Sequence, residues 1–141
     1  MTTSTFASGA DTSRGATDRY RPGVCNIGPA EIARRRMAGH IGLIATLAIL
    51  AVLVLIDATP VTRLIAILPA AASASGYLQA WLKFCAGFGS RGIFNFGALG
   101  EASTVADDDA RAMDRRRARQ ISMWALAIGV VVGIVAVLLP V

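Results

Sequence analysis

Residues 37–56 are MAGHIGLIATLAILAVLVLI, a run of 20 residues without a formal charge. As an α-helix, such a run is about 30 Å long, which matches the hydrocarbon thickness of a bilayer. Eleven of its residues are Leu, Ile or Val, which favour insertion at mid-bilayer by roughly 0.3–0.6 kcal/mol each. This block therefore predicts a transmembrane helix.

Two further uncharged blocks follow at residues 64–82 and 121–139, each 19 residues long. The block at 64–82 is the least apolar of the three, with six Leu or Ile residues and a proline at Pro69. Its small residues lie all around a helix, so it lacks the polar face that a soluble helical hairpin needs. We predict an all-α integral membrane protein with three transmembrane helices.

The composition of the whole chain favours the same class. Of the 141 residues, 55% are hydrophobic and 16% are charged. Soluble domains average about 25% charged residues. This composition disfavours intrinsic disorder, a collagen, a disulfide scaffold and an ordinary soluble enzyme.

The three blocks divide the chain into five segments. Residues 1–24 are expected to form a disordered cytoplasmic arm, and residues 25–57 a juxtamembrane helix that continues into the first transmembrane helix. Residues 58–86 hold the second transmembrane helix, and residues 87–105 form a cytoplasmic glycine-rich loop. Residues 106–139 are expected to form a cytoplasmic helix running into the third transmembrane helix, because acids precede cations there and match a helix dipole.

The cations lie almost entirely on one side of the predicted membrane. Of the 14 Lys and Arg residues, 13 precede the first block or lie between the second and the third, and Arg63 lies in the turn between the first two. Under the positive-inside rule, the N-terminus and the connection at 83–120 are cytoplasmic and the C-terminus is outside. We therefore expect a multi-pass protein of the cell inner (plasma) membrane.

Basic clusters and tryptophans mark the cytoplasmic boundaries of the predicted spans. We expect these side chains to anchor the topology and to contact the lipid bilayer and its anionic lipid headgroups. They are Arg34, Arg35, Arg36, Arg115, Arg116, Arg117, Arg119, Trp81 and Trp124. The clusters have no interleaved aromatic side chains that would stack on bases, so nucleic acid is not an expected partner.

Small residues recur at every fourth position in the second and third blocks. Such stripes let helix backbones approach closely in lipid, where there is no hydrophobic drive between helices. The predicted packing residues are Ala72, Gly76, Ala80, Ala125, Gly129 and Gly133. The sequence GVVVG at 129–133 fits packing within the chain, on a membrane protein partner, or on a second copy in a homo-oligomer.

Two cysteines, Cys85 and Cys25, are candidate reactive thiols. Cys85 lies close to Lys83, and a neighbouring cation favours the nucleophilic thiolate. The alternative is that both cysteines are small buried hydrophobic side chains, since a disulfide does not suit a reducing compartment. The single histidine, His40, is expected to bond to backbone or headgroup, and we expect neither a bound metal nor another cofactor.

Residues 87–92 match the pattern GxGxxG. A dinucleotide fingerprint needs a preceding strand and a following helix, whereas this stretch follows a predicted transmembrane helix. We interpret it as a tight interfacial loop, with a small anion cradle that includes Arg91 as the alternative. The sequence offers neither a catalytic Ser/His/Asp set nor a charge within a predicted span, so no catalytic residue is predicted.

The order of these features resembles a family of bacterial inner-membrane proteins. Asn26 and Gly28 precede a basic first helix, an apolar hairpin follows, and Phe84-Cys85 with a Gly-bearing loop ends the second helix. This order is similar to the two-helix transmembrane domain of YgaP-like proteins, over about residues 25–97. The resemblance implies that Cys85 matches the family's cysteine and that Asn26 and Gly28 match its helix-entry motif.

The chain also departs from that family. Ala86 follows the cysteine where the family often has Pro, and a third predicted span is added. The sequence contains no rhodanese domain of the kind fused to some members, so the resemblance does not imply sulfurtransferase activity.

Three functions are therefore considered. The first is a non-enzymatic accessory or structural membrane subunit, held by small-residue helix contacts. The second is a cysteine-based helper in sulfur or redox traffic at the cytoplasmic membrane surface, which would use Cys85 and Cys25. The third is an oligomeric pore or carrier, which needs a polar stripe that Ser73, Ser75 and Gln79 would have to supply.

Overall fold

A computed structural model describes residues 19–140 of the chain, and this part is mostly helical. The α-helices are α1 (Pro29–Leu55), α2 (Ile67–Leu82), α3 (Ala86–Arg91) and α4 (Asp108–Leu138). A 3₁₀ helix, Thr62–Ala66, leads directly into α2. Two short strands, β1 (Ile93–Phe94) and β2 (Ser103–Thr104), pair antiparallel.

Three helical stretches are long and apolar enough to cross a membrane: Pro29–Leu55, Thr62–Leu82 and Asp108–Leu138. At a rise of 1.5–2.0 Å per residue, each is at least about 30 Å long. The prediction of a mostly helical chain with three helices of spanning length and apolar composition is thus confirmed. The second helical stretch is shorter than the predicted segment 58–86, because Lys83 adopts a left-handed conformation (φ 54°) that ends α2.

Helix α2 lies between α1 and α4 and packs on both. On the α1 side, a Cβ atom added to Gly76 would lie 2.5 Å from the backbone nitrogen of Gly39. On the α4 side, a Cβ atom added to Gly129 would lie 2.9 Å from the carbonyl oxygen of Ile67. Both contacts bring backbones closer than any residue with a Cβ allows, as in close helix crossings in lipid.

Five of the six small residues singled out in the sequence are buried in the structure. Those buried are Gly76, Ala80, Ala125, Gly129 and Gly133. The structure differs at Ala72, which is exposed, because the rotation of α2 turns Ala71 toward α4 instead. Gly39 and Gly42 of α1 were not predicted as packing residues. Because neither has a side chain, Tyr77 and Ser73 of α2 pack directly against them.

Helix α4 buries one narrow stripe along its whole length. The stripe repeats at intervals of three or four residues, and six of its eight members are Ala or Gly: Ala110, Asp114, Ala118, Ile121, Ala125, Gly129, Gly133 and Ala136. In α1, only 11% of the most apolar stretch is buried. Large apolar side chains such as Ile44 and Val131 therefore face away from the bundle.

Arg63 closes the end of the bundle where α1 ends. The residue is buried, and its guanidinium donates to the carbonyl oxygens of Ala58 at 3.2 Å, Leu139 at 3.1 Å and Ala136 at 3.4 Å. The last carbonyls of a helix lack helical donors and carry its negative dipole end. Arg63 thus connects the start of the second helical stretch to the end of α4.

Candidate functional site

Residues 19–28 and 83–107 fold together at the other end of the bundle, and we call this unit the polar cap. Its order corrects two predictions. Of the arm predicted to be disordered at 1–24, residues 19–24 are ordered in the cap, while residues 1–18 lie outside the described residues. The predicted loop at 87–105 contains α3 and the paired strands, because Gly92 (φ 69°) turns the chain back and its carbonyl accepts from the nitrogen of Val105.

Tyr20 attaches the N-terminal side of the cap to α4. Its hydroxyl donates to Asp114 Oδ2 at 2.5 Å, and its ring stacks on Phe94 with centroids 4.9 Å apart. The nitrogen of Gly23 donates to the second carboxylate oxygen of Asp114 at 2.7 Å. Burial, together with the hydrogen bond to the Asp114 carboxylate, raises the pKa of Tyr20. The tyrosine is therefore a protonated donor at neutral pH.

Asn26 clamps the backbone just after α2. Its Oδ1 accepts from the nitrogen of Cys85 at 2.7 Å, and its Nδ2 donates to the carbonyl oxygen of Cys85 at 3.1 Å. Both residues are fully buried. The N-cap of α1 is Gly28, which has no side-chain bond to offer, so Asn26 serves the cap rather than the start of the helix.

Asn95 joins the connection after α3 to the first turn of α1. Its carbonyl oxygen accepts from the nitrogen of Gly28 at 2.8 Å, and its Nδ2 lies 3.5 Å from Glu31 Oε1. Glu31 is 1% exposed and lies 3.7 Å from Arg35 and 4.0 Å from Arg34. A buried carboxylate in a first helical turn is favoured by the helix dipole and by these cations.

The predicted headgroup anchors fall into two groups. Arg35 and Arg117 are only partly exposed, and the guanidinium of Arg35 lies 5.8 Å from the centre of the Phe88 ring. Arg35 therefore helps to attach the cap to α1, because it pairs with Glu31 of α1 and lies over the Phe88 ring of the cap. The remaining anchors are exposed: Arg34, Arg36, Arg115, Arg116, Arg119, Trp81 and Trp124.

The two candidate thiols differ in accessibility. Cys85 is 1% exposed and lies inside the cap, where the alternative of a small buried hydrophobic side chain describes it better. Cys25 is half-buried and free. It ends a turn in which the carbonyl oxygen of Arg21 accepts from the nitrogen of Cys25 at 3.0 Å, with Gly23 in a left-handed conformation.

Cys25 lines a cavity of about 510 Å³, which we call the basic groove. The groove lies between the N-terminal side of the cap, the start of α1 and the end of α2. Three cations line it: Arg19, Arg21 and Lys83. Its larger apolar lining residues are Ile27, Ile32, Leu82 and Phe96. None of the described residues that line it is acidic. Sequence analysis missed this groove, because its walls come from distant parts of the chain.

A second cavity, of about 410 Å³, lies between α1 and α2. Arg36, His40, Tyr77 and Trp81 are among its lining residues. The Nδ1 atom of His40 and the Tyr77 hydroxyl lie 2.6 Å apart, so this histidine is hydrogen-bonded to a side chain of α2. Among its described lining residues, this second cavity has a single arginine, in contrast to the three cations of the basic groove.

The polar side chains considered for a pore are hydrogen-bonded within the chain. Ser73 Oγ donates to the carbonyl oxygen of Gly39 at 2.8 Å, and Gln79 Nε2 donates to Ser75 Oγ at 2.7 Å. Gln79 Oε1 accepts from the nitrogen of Ala86 at 3.0 Å. These three side chains therefore serve internal contacts and do not provide a polar stripe toward a second copy.

The GxGxxG stretch forms α3 and the turn that follows it. A helix followed by a strand reverses the order of a dinucleotide site, in which a strand precedes the glycines. Gly89 packs against Phe84, where an added Cβ would lie 2.7 Å from the ring. The glycines therefore allow α3 to pack closely within the cap.

Within residues 19–140, no group of three or more His, Cys, Asp or Glu side chains is placed to hold a metal ion. Comparisons with protein-family models, curated proteins and solved structures found no match for the chain. The resemblance to YgaP-like proteins stays a prediction.

Proposed function

We propose that this chain is a multi-pass inner-membrane protein that acts as a non-enzymatic accessory or structural subunit. The observation that carries the proposal is the exposure of α1, of which only 11% of the most apolar stretch is buried. In water, exposed apolar surface on this scale promotes aggregation, whereas lipid or a partner helix covers it with apolar groups. The outward face of α1 is therefore assigned to lipid and to a partner.

In the proposed topology, the polar cap faces the cytoplasm and the turn that precedes the 3₁₀ helix faces outside. Exposed cations such as Arg34, Arg36, Arg115 and Arg119 support this orientation, because they all lie toward the cap end of their helices. Among residues 19–140, Arg63 is the one cation near the opposite end, and it is buried against α4 and is not free to bind headgroups. The cap then meets the anionic cytoplasmic lipid surface.

The partner is either another membrane protein or a second copy of this chain. Ile41, Ile44 and Leu47 lie on exposed faces of α1 and are 62%, 67% and 59% exposed. The polar side chains of the cap, by contrast, are used to hold the chain's own backbone. A subunit role needs a stable scaffold and a free helix face, and this arrangement supplies both.

Photo-crosslinking at two adjacent positions of α1 tests the subunit role. Leu47 is 59% exposed, whereas its neighbour Thr46 is 5% exposed. In native membranes, a photo-reactive residue at Leu47 should join the chain to a second polypeptide, and the same residue at Thr46 should not. Adducts of the Leu47 probe with lipid alone would contradict the subunit role while leaving membrane insertion intact.

A second candidate function is a cysteine-based helper in sulfur or redox traffic. The observation in its favour is that Cys25 lines the basic groove, where Arg19, Arg21 and Lys83 would attract an anionic reagent. In a Cys85→Ser background, the ratio of the iodoacetate rate to the iodoacetamide rate should then be higher at Cys25 than in an unstructured cysteine peptide, and Arg21→Gln should lower that ratio. A ratio equal to that of the peptide would remove this candidate.

A further inference from the structure

The basic groove is open, cationic and apolar at once, and we propose that it binds the headgroup of one acidic phospholipid, of the phosphatidylglycerol class. The lipid phosphate lies among Arg19, Arg21 and Lys83, and the glycerol region contacts the apolar lining. This inference rests on the proposed membrane insertion and adds a defined lipid site to it.

The three cations are brought together by the fold of the cap. Arg21 is held by the turn that ends at Cys25, through mutual backbone hydrogen bonds of 3.0 Å. Lys83 follows α2, and its carbonyl oxygen accepts from the nitrogen of Asn26 at 3.3 Å. Within residues 19–140, neither Arg21 nor Lys83 forms an ion pair with a carboxylate. Their charge is therefore available to an anion in the groove that both residues line.

The position and lining of the groove fit a lipid better than a free anion. The groove lies where α1 begins and α2 ends, which is the headgroup level of the proposed topology. Ile32, Leu82 and Phe96 give its lining an apolar surface that inorganic phosphate cannot use. Basic pockets between transmembrane helices on the cytoplasmic side suit anionic headgroups.

The size and local field of the groove agree with this occupant. A volume of about 510 Å³ lies within the usual range of small-molecule sites, about 300–1,000 Å³. Gly28 and Pro29, which line the groove, form the start of the 27-residue helix α1 and present its positive dipole end. The dipole thus adds to the attraction of the three cations for phosphate.

Cys25 provides a built-in reporter of occupancy. It lines the groove and is half-buried, whereas Cys85 is 1% exposed. Neutral N-ethylmaleimide should alkylate Cys25 more slowly when a headgroup covers it. The full chain carrying Cys85→Ser is placed in phosphatidylcholine discs, with or without phosphatidylglycerol, and the alkylation rate is measured by mass.

Phosphatidylglycerol is expected to slow the alkylation of Cys25, and phosphatidylcholine alone is not. Arg21→Gln and Lys83→Asn should each weaken this protection about fivefold, since one surface cation contributes about 1 kcal/mol. Asparagine is chosen at position 83 because it adopts the left-handed conformation of Lys83 readily. Arg91→Gln is the matched control, because Arg91 is an exposed cation of the same cap that does not line the groove.

Several results would overturn the proposal. Equal protection by inorganic phosphate would make the groove a site for a free anion. Protection that survives Arg21→Gln and Lys83→Asn, or that Arg91→Gln weakens equally, would reflect general surface charge. A chain that floats with the discs but shows no protection would overturn the groove alone, whereas a chain that fails to float would overturn the proposed membrane insertion as well.

Discussion

The bundle and the polar cap are two parts of one chain held together in different ways. In the bundle, α1, α2 and α4 approach through glycines and alanines, and backbone lies against backbone. In the cap, the buried side chains of Asn26 and Asn95 hydrogen-bond to the chain's own backbone, and the buried Asp114 of α4 accepts from Tyr20 and Gly23 of the cap. Close approach of the backbones thus joins the apolar helices, and directed hydrogen bonds order the irregular chain at the end of the bundle.

Asn26→Ala is expected to have the largest effect on stability, because it removes buried hydrogen bonds at the centre of the cap. It leaves the buried nitrogen of Cys85 without a partner, at about 1–3 kcal/mol, and removes one of the two donors to the Cys85 carbonyl oxygen, which keeps the nitrogen of Gly89, so the total is about 3 kcal/mol. In a Cys25→Ser background, the opened cap should also expose Cys85 to maleimide. The loss in the free energy of unfolding is measured by denaturant titration in detergent micelles.

Ser90→Ala is the matched control for Asn26→Ala. The Ser90 hydroxyl donates to the carbonyl oxygen of Ala86, but the residue is exposed, so water replaces the bond. If Asn26→Ala were as stable as Ser90→Ala and kept Cys85 protected, the cap would not depend on its buried hydrogen bonds.

Gly76→Ala tests the close contact between α1 and α2 in the bundle. The added Cβ would lie 2.5 Å from the nitrogen of Gly39, so α1 and α2 must separate, at about 2–3 kcal/mol. Ala72→Leu, a larger change one turn away on an exposed face, should leave the free energy of unfolding nearly unchanged. Thermal denaturation in micelles compares the two variants, and equal losses would argue against close packing at Gly76.

Arg63→Ala tests the end of the bundle opposite the cap. It removes charged hydrogen bonds to Leu139 and Ala136 at the end of α4, at about 2 kcal/mol. The loss should appear as earlier proteolysis near the end of α4 and as a lower denaturation midpoint. Arg63→Lys keeps the charge and should recover part of the stability, and an Arg63→Ala variant as stable as the wild type would contradict the assigned contact.

Tyr20→Phe should have the smallest effect, at about 1 kcal/mol near neutral pH, because one hydrogen bond to Asp114 is lost. Burial and the Asp114 carboxylate raise the pKa of Tyr20 in the folded chain. The contribution of its hydroxyl is thus fully present below the unfolded pKa of about 10 and declines as the pH rises beyond that value. Wild type and variant should therefore converge in stability in alkaline titrations, and a constant difference would contradict this linkage.

The bundle was largely predictable because its signals are local. Uncharged runs of bilayer length and small residues at every fourth position can be recognised within one helix, and they correspond to α1, α2 and α4. The error at Ala72 is a matter of helix rotation, which the partner helix sets and the sequence of α2 does not. Gly39 and Gly42 were missed because their role appears only when α2 is beside them.

The cap could not be predicted in the same way. Its main contacts join residues 59 positions apart, as in Asn26 and Cys85, or 94 positions apart, as in Tyr20 and Asp114. No periodic pattern marks such pairs. The residues of the cap were therefore interpreted as a disordered arm and a loop, and the basic groove, which needs both sides of the cap, had no sequence signal of its own.

The proposed topology is tested most directly by measuring on which side of the membrane each end of the bundle lies. In a chain without Cys25 and Cys85, single cysteines are placed at Ser90 in the cap and at Pro60 in the opposite turn, both exposed positions. A membrane-impermeant maleimide is then applied to sealed vesicles of either orientation. The account predicts that Ser90→Cys is labelled only from the cytoplasmic side and Pro60→Cys only from the other. Labelling of both cysteines from one side would contradict it.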